Sequence, residues 1–192
     1  MPYPTQITRE SIIRQATVMI EQNGVEQLSL GKLATALGVK APSLYRYVNN
    51  KDALLKAVNL QTVQELFAAY GEALADVSGE AEVKLTAVLH AHRAFALSQP
   101  QGYMLALANP NDAQRPDEDA LLQMVLPIQA LTVELTGEAH SLAALRGALA
   151  LVHGFVMLEL NNQLRRGGNL SADFGQAIAA YIQGWQIVGR NP

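Results

Sequence analysis

The sequence predicts an all-α protein. Nearly every segment of the 192 residues repeats its apolar positions at the helical period, none alternates for long as a strand would, and Gly, Pro and Asn punctuate the periodic stretches. A chain that is 49% hydrophobic and 16% charged can bury a real core, and so little charge implies apolar faces beyond what one monomer hides. There is no cysteine, which excludes disulfides, thiolate-ligated metals and cysteine nucleophiles and fits a reducing compartment. Met1-Pro2-Tyr3-Pro4 has neither a basic n-region nor an apolar h-region, and the longest apolar run, 147–158, is of core-helix length. No signal peptide and no membrane partner are therefore expected, and the expected location is the cytoplasm.

The elements follow in order. Thr8 caps a first helix with the stripe Ile12, Ile13, Ala16, Met19 and Ile20, stopped by Asn23-Gly24. Ser29 caps a short second helix with Leu30, Leu33, Ala34 and Leu37 at i, i+3, i+4 and i+7, ended by Gly38. After a tight turn at Val39-Lys40, a third helix of about eight residues holds Pro42 in its first turn, where a missing N–H costs nothing. Asn49-Asn50 break the chain, and a long helix opens at Lys51-Asp52 and runs to about Val77. Helices over 81–98 and 100–108 come next, then a loop at 109–116, then helices over 117–135, 139–165 and 171–189.

Two short helices joined by a tight turn and braced by a longer one form a helix-turn-helix arrangement, placed here in a head of residues 1–55 on a helical body of residues 56–192. Charge divides the same way: residues 1–58 carry seven basic and four acidic groups, the rest seven basic and thirteen acidic. On the third helix Leu44 and Val48 point inward, while Pro42, Ser43 and Arg46 point outward with Tyr45 and Tyr47 beside them. Arg46 can fork onto guanine or phosphate, and Ser43 and the tyrosine hydroxyls can donate to phosphates. Neither Lys40 nor Ala41 offers a capping oxygen, so the first N–H groups are free for water or phosphate.

The run Leu28-Ser-Leu-Gly-Lys-Leu-Ala-Thr-Ala-Leu-Gly-Val-Lys-Ala-Pro-Ser-Leu-Tyr-Arg-Tyr-Val-Asn-Asn-Lys-Asp-Ala-Leu-Leu55 resembles the DNA-binding head of the TetR/AcrR family of bacterial regulators. The resemblance implies that Ser29 and Lys32 approach the DNA backbone from the second helix and that Ala41, Pro42, Ser43 and Arg46 face the groove. It makes Tyr45, Tyr47 and Lys51 phosphate contacts. Lys40, Tyr47 and Val48 stand where the family more often has Ser, His and Phe; Lys40 loses a cap and adds a charge to the interface.

The body carries a fainter resemblance. His92-Arg93-Ala94-Phe95, Pro100-x-Gly102-Tyr103, His153-Gly154-Phe155 and Leu158-Glu159 resemble the WHG type of effector domain, with Val152 in place of the Trp. That type implies dimerisation and a small effector. A mostly apolar, uncharged or weakly anionic ligand is expected among 92–107, 121–131 and 149–158, contacted by His92, Phe95, Tyr103, Met104, Met124, Val152, His153 and Met157. His153 also reads as a core hydrogen-bonder, and the methionines and aromatics as plain core. His90 and His92 point apart on a helix, and no phosphate loop, activated serine or carboxylate pair stands out, so no catalytic, metal or cofactor site is expected.

The last helix has one charged residue between Ser171 and Gly189 and two apolar sides, so it must be covered twice. Gly147, Leu151 and Gly154 from the preceding helix, with Ile178, Tyr181, Ile182 and Trp185, are the expected homodimer interface, a four-helix bundle about a two-fold axis. Together these features point to a homodimeric repressor that binds a double-stranded DNA operator and is released by a small apolar effector. A regulator answering to a protein partner or only to its own level is the alternative, and a helical enzyme or carrier the remote one.

Overall fold

The computed structural model describes residues 7–75, 77–109 and 111–190, among which there are nine α-helices and no strand. The segment read for a signal peptide, 1–4, and Pro110 in the expected loop lie outside the described residues. The helices are α1 (Arg9–Asn23), α2 (Leu30–Ala36), α3 (Ala41–Leu44), α4 (Lys51–Ala75), α5 (Ala81–Ser98), α6 (Pro100–Leu107), α7 (Glu118–Thr136), α8 (Glu138–Leu160) and α9 (Leu170–Arg190).

They form two compact units: residues 1–65 with 99–117, and residues 66–98 with 118–192. The head expected at 1–55 thus lies inside a larger unit that takes ten further residues of α4 and all of α6. Its core joins Ile12, Ala16 and Ile20 of α1 to Leu33 of α2, Leu44 of α3 and Leu54 and Val58 of α4, each at most 1% exposed. Burying each such aliphatic side chain contributes about 1.5–3 kcal/mol. α6 enters the same core through Leu105. Its N-terminus is held by a carboxylate: Glu21 of α1 accepts from the backbone N–H of Gly102 at 2.6 Å and of Gln101 at 3.3 Å. An anion there satisfies orphan donors and complements the helix dipole.

Two helices end earlier than their periodicity predicts. α3 is four residues, not eight, and continues as a turn closed by Tyr47 and Val48 N–H groups on the Leu44 carbonyl, at 2.9 and 3.0 Å. α8 stops at Leu160 instead of 165, because Asn162 takes a left-handed conformation (φ 52°) and lets Gln163 N–H reach back to the Leu158 carbonyl at 2.8 Å.

In the second unit α5, α7, α8 and α9 pack together around Leu85, Val88, Ala144, Val152, Phe174 and Ile178. Gly189 lets the end of α9 press on α7, since a Cβ there would lie 2.9 Å from the Thr136 Cα. α8 is long and apolar enough to cross a membrane by length and composition, yet only 28% of its most apolar window is buried. Ser141, Ala144, Ala148, Val152 and Val156 form its inward stripe, while Leu142, Ala143, Arg146, Leu149 and Ala150 of its first half are exposed.

Candidate nucleic-acid interface and internal cavity

α2 and α3 are placed by short-range chemistry. The Ser29 hydroxyl accepts from Lys32 N–H at 3.2 Å and opens α2. Gly38, with φ 68°, turns the chain, its N–H on the Thr35 carbonyl at 3.1 Å and Val39 N–H on the Ala34 carbonyl at 2.9 Å. Lys40 then begins α3 with no side-chain cap. Leu44 and Val48, 0% and 3% exposed, anchor the segment.

The outward side carries the predicted contacts. Lys40, Pro42, Tyr45 and Arg46 are exposed, and Ala41 and Ser43 half-buried. Arg46 makes no hydrogen bond or ion pair with the described residues, so its guanidinium is available to an anion. Other candidates already have work inside the unit. Lys32 Nζ donates to the Gln27 carbonyl at 3.1 Å and to its side-chain oxygen at 3.2 Å. Lys51 Nζ donates to the Val25 carbonyl at 3.2 Å, which leaves two ammonium protons for a phosphate. Tyr47 differs from expectation: half-buried, it donates its only hydroxyl proton to the Ile7 carbonyl at 2.9 Å. In this arrangement it is a strut between the segment before α1 and α3, and it has no proton left to offer a phosphate.

The second unit contains a cavity of about 170 Å³ with almost wholly apolar walls from α4, α5, α7 and α8. His92 and Val152 line it, as expected; Phe95, Met124, His153 and Met157 do not. Tyr103 and Met104 belong to the other unit, where Met104 lines a separate cleft of about 470 Å³. The reason is α6: adjacent in sequence to α5, it packs on α1 instead. Phe67 and Tyr70 of α4 and Arg146 of α8 line the cavity without having been expected there. Their signal was faint, two aromatics three apart on the long helix that joins head and body, and one arginine in an apolar run.

His92 is 3% exposed, and its Nδ1 lies 2.6 Å from the Tyr70 hydroxyl. Burial, and secondarily the neighbouring His153, pulls its pKa down from 6.5 to about 4. Burial lowers His153 as well. Between these values only the unfolded chain takes up the His92 proton, so stability falls as pH drops from about 6.5 toward 4. Over pH 7 to 5 that amounts to about 1–2 kcal/mol. Urea unfolding at both pH values should show His92→Gln losing less stability than the parent by that amount; equal losses would mean that His92 titrates normally.

The residues around His92-Arg93 and Leu158-Glu159 are bound to one another. Arg93 donates to both Glu159 carboxylate oxygens, from Nε at 2.7 Å and Nη2 at 2.6 Å, and its guanidinium carbon lies 5.7 and 5.3 Å from the Phe155 and Phe174 ring centres. This clamp joins α5, α8 and α9.

At the expected dimer interface, burial changes the cast. Ile178 and Ile182 are 0% and 1% exposed, so they are spent on the unit's own core and cannot touch a second chain. Tyr181 lies half-buried against Gly147, where a Cβ would meet its hydroxyl at 2.6 Å, and donates to the Ala144 carbonyl. Leu151 and Trp185 are half-buried. The residues on the flank beside the Gly147–Tyr181 contact are small: Ala150, Ala180 and Gly184 are exposed and Gly154 half-buried, and at both glycines an added Cβ meets nothing within 4 Å.

Comparison with known proteins adds the following. A family profile described as "Bacterial regulatory proteins, tetR family" matches residues 12–58, and one described as "Tetracyclin repressor-like, C-terminal domain" matches 85–181. An uncharacterized HTH-type transcriptional regulator of Mycobacterium tuberculosis, Rv0681, is 31% identical over 160 residues, 82% of this chain and 72% of that protein. Among solved structures, a single-residue variant of TetR from Acinetobacter baumannii in complex with minocycline superposes with a TM-score of 0.72 at 22% identity, over 95% of this chain and 98% of that one. BioQ with its double-stranded DNA operator superposes with a TM-score of 0.66 at 20% identity, over 94% and 99%. At such identities the two structures share the fold.

Proposed function

This chain belongs to the TetR family of DNA-binding transcriptional regulators, and from that premise we propose that it is a homodimeric repressor released from a palindromic operator by a small, mostly apolar effector. The observation that carries this reading is the apolar cavity, enclosed in a unit that contains none of the candidate DNA-contacting residues. A preformed apolar chamber in a DNA-binding regulator has no structural purpose, since an empty one only weakens packing. α4 gives it a route of action: one unbroken helix carries Lys51 at its first residue and Phe67 and Tyr70 at the cavity. A ligand that fits better with α4 tilted shifts the population away from DNA, by no more than its differential affinity.

The same reading covers the Gly147–Ala150–Gly154 flank of α8, which does not include Arg146, and the small residues of α9 with a second copy. Leu158, Ile187 and Val188, 41%, 62% and 39% exposed, would border that contact. Two-fold symmetry of the protein then demands a palindromic site with half-sites about one helical turn apart, or slightly more.

Fluorescence anisotropy on the DNA upstream of the protein's own gene tests the proposal. Binding should weaken steeply with salt, and a broad compound screen should yield molecules that both raise the melting temperature and release the DNA. DNA binding without any such molecule would turn the reading toward a protein partner or simple autoregulation. No DNA binding would defeat it.

A further inference from the structure

The cavity of the second unit has polar chemistry at two ends only. At the buried end lie Tyr70 and His92, 6% and 3% exposed and 2.6 Å apart. At the open end Arg146 lines the cavity while remaining exposed, beside Leu149, which is 52% exposed. Among the described residues lining the cavity, Arg146 alone carries a formal charge, and it has no ion pair or hydrogen bond with any described residue. Apolar side chains such as Leu85, Val88, Leu89 and Ile128 fill the space between.

Resting on the ligand-release reading, we infer that this cavity takes an amphipathic monocarboxylate, its apolar body filling the interior and its carboxylate meeting Arg146 at the mouth. The two ends decide the orientation. A carboxylate at the inner end would be stripped of water with no cation to receive it, because burial holds His92 neutral at pH 7. At the mouth the guanidinium offers a planar fork that matches a carboxylate, in contact with solvent and at little desolvation cost. An amine would meet that same cation and be repelled. A cavity of about 170 Å³ suits a short apolar body.

Octanoate, octanamide and octylamine share an eight-carbon chain and carry an anionic, a neutral and a cationic head. With the intact protein on its operator, octanoate should raise the melting temperature and release DNA at concentrations about tenfold below octanamide, and octylamine should do neither. Arg146→Gln should bring octanoate and octanamide to the same potency while leaving the octanamide response within about twofold. Leu149→Trp, at an exposed position that spares the fold, should block both.

If octanamide matches or exceeds octanoate on the parent protein, or if Arg146→Gln keeps the preference, the charge assignment is overturned while release by octanamide leaves the effector reading standing. If Leu149→Trp responds like the parent, the probes bind elsewhere and the assignment to this cavity fails. Silence from all three probes overturns the proposal too; the effector reading falls with it only if the broad screen is also silent.

Discussion

Replacing Gly154 or Gly184 by glutamate is expected to give a chain that folds, sediments as a monomer and binds operator about 10²- to 10⁴-fold more weakly than the parent. In both cases an added Cβ meets nothing within 4 Å, and neither residue has a positive φ. Within one chain the added Cβ is therefore free of clash at both positions, and glycine to glutamate in a helix interior gains some helix propensity. What they spoil is the surface that a second helix approaches closely in the proposed dimer. Four glutamate carboxylates in a double-variant dimer would face one another in an apolar contact, with no cation to pair them. Losing the dimer also loses the second head, whose effective concentration on the adjacent half-site supplies most of the operator affinity. Gly147→Ala is the contrasting case. There a Cβ meets the Tyr181 hydroxyl at 2.6 Å inside the unit, so melting temperature should fall before oligomeric state changes. Analytical ultracentrifugation with parallel melting curves separates the two. A stable dimer from both glutamate variants would place the interface elsewhere.

How much of this was legible in the sequence depends on whether a residue's neighbours were local. α1 and α2 follow from caps and stripes, because Thr8 and Ser29 each bond a backbone N–H three residues on; Asn50, read only as part of a break, does the same at the start of α4. The exposed side of α3 follows from the same periodicity, fixed by Leu44 and Val48. The end of α3 and the stop of α8 at Leu160 did not follow, since a turn closed by the Leu44 carbonyl and a left-handed Asn162 leave no apolar signature. Partnerships across long separations were hidden altogether. Nothing in the sequence near Pro100 shows that Glu21 holds the N-terminus of α6 or that α6 packs on α1, in the unit that does not contain the cavity. Likewise the period marks Ile178 and Ile182 as apolar, but only packing shows that their own unit covers them while Ala180 and Gly184 stay bare. Periodicity ranks the faces of a helix without saying what lies against each.

The second large effect concerns Arg46. Arg46→Ala should lower operator affinity by about 1–3 kcal/mol per half-site, or roughly 30- to 10⁴-fold over a two-fold site, and should relax base preference at one position in each half. The fold should not notice. Arg46 is exposed and bonds to none of the described residues, whereas Leu44 and Val48, which hold the segment, are untouched. This makes Arg46 a cleaner probe than Lys51, whose removal also takes away a bond to the Val25 carbonyl, or Tyr47, whose hydroxyl holds the Ile7 carbonyl. The base-reading assignment rests on geometry: a four-residue helix begins at Ala41, so Arg46 lies just past its end, on the turn between two buried anchors. An arginine there either forks onto a guanine edge or reaches past it to the backbone, and the two differ in a measurable way. A guanine contact changes the sequence selected from a randomised operator pool. A phosphate contact lowers affinity evenly across sequences and reduces the salt slope by about one per subunit. Lys40→Ala, at an exposed cation with no capping role, supplies the phosphate-like reference. If Arg46→Ala shifts affinity and salt slope as Lys40→Ala does, with an unchanged selected sequence, then Arg46 holds the backbone and base recognition falls to Pro42, Ser43 and Tyr45.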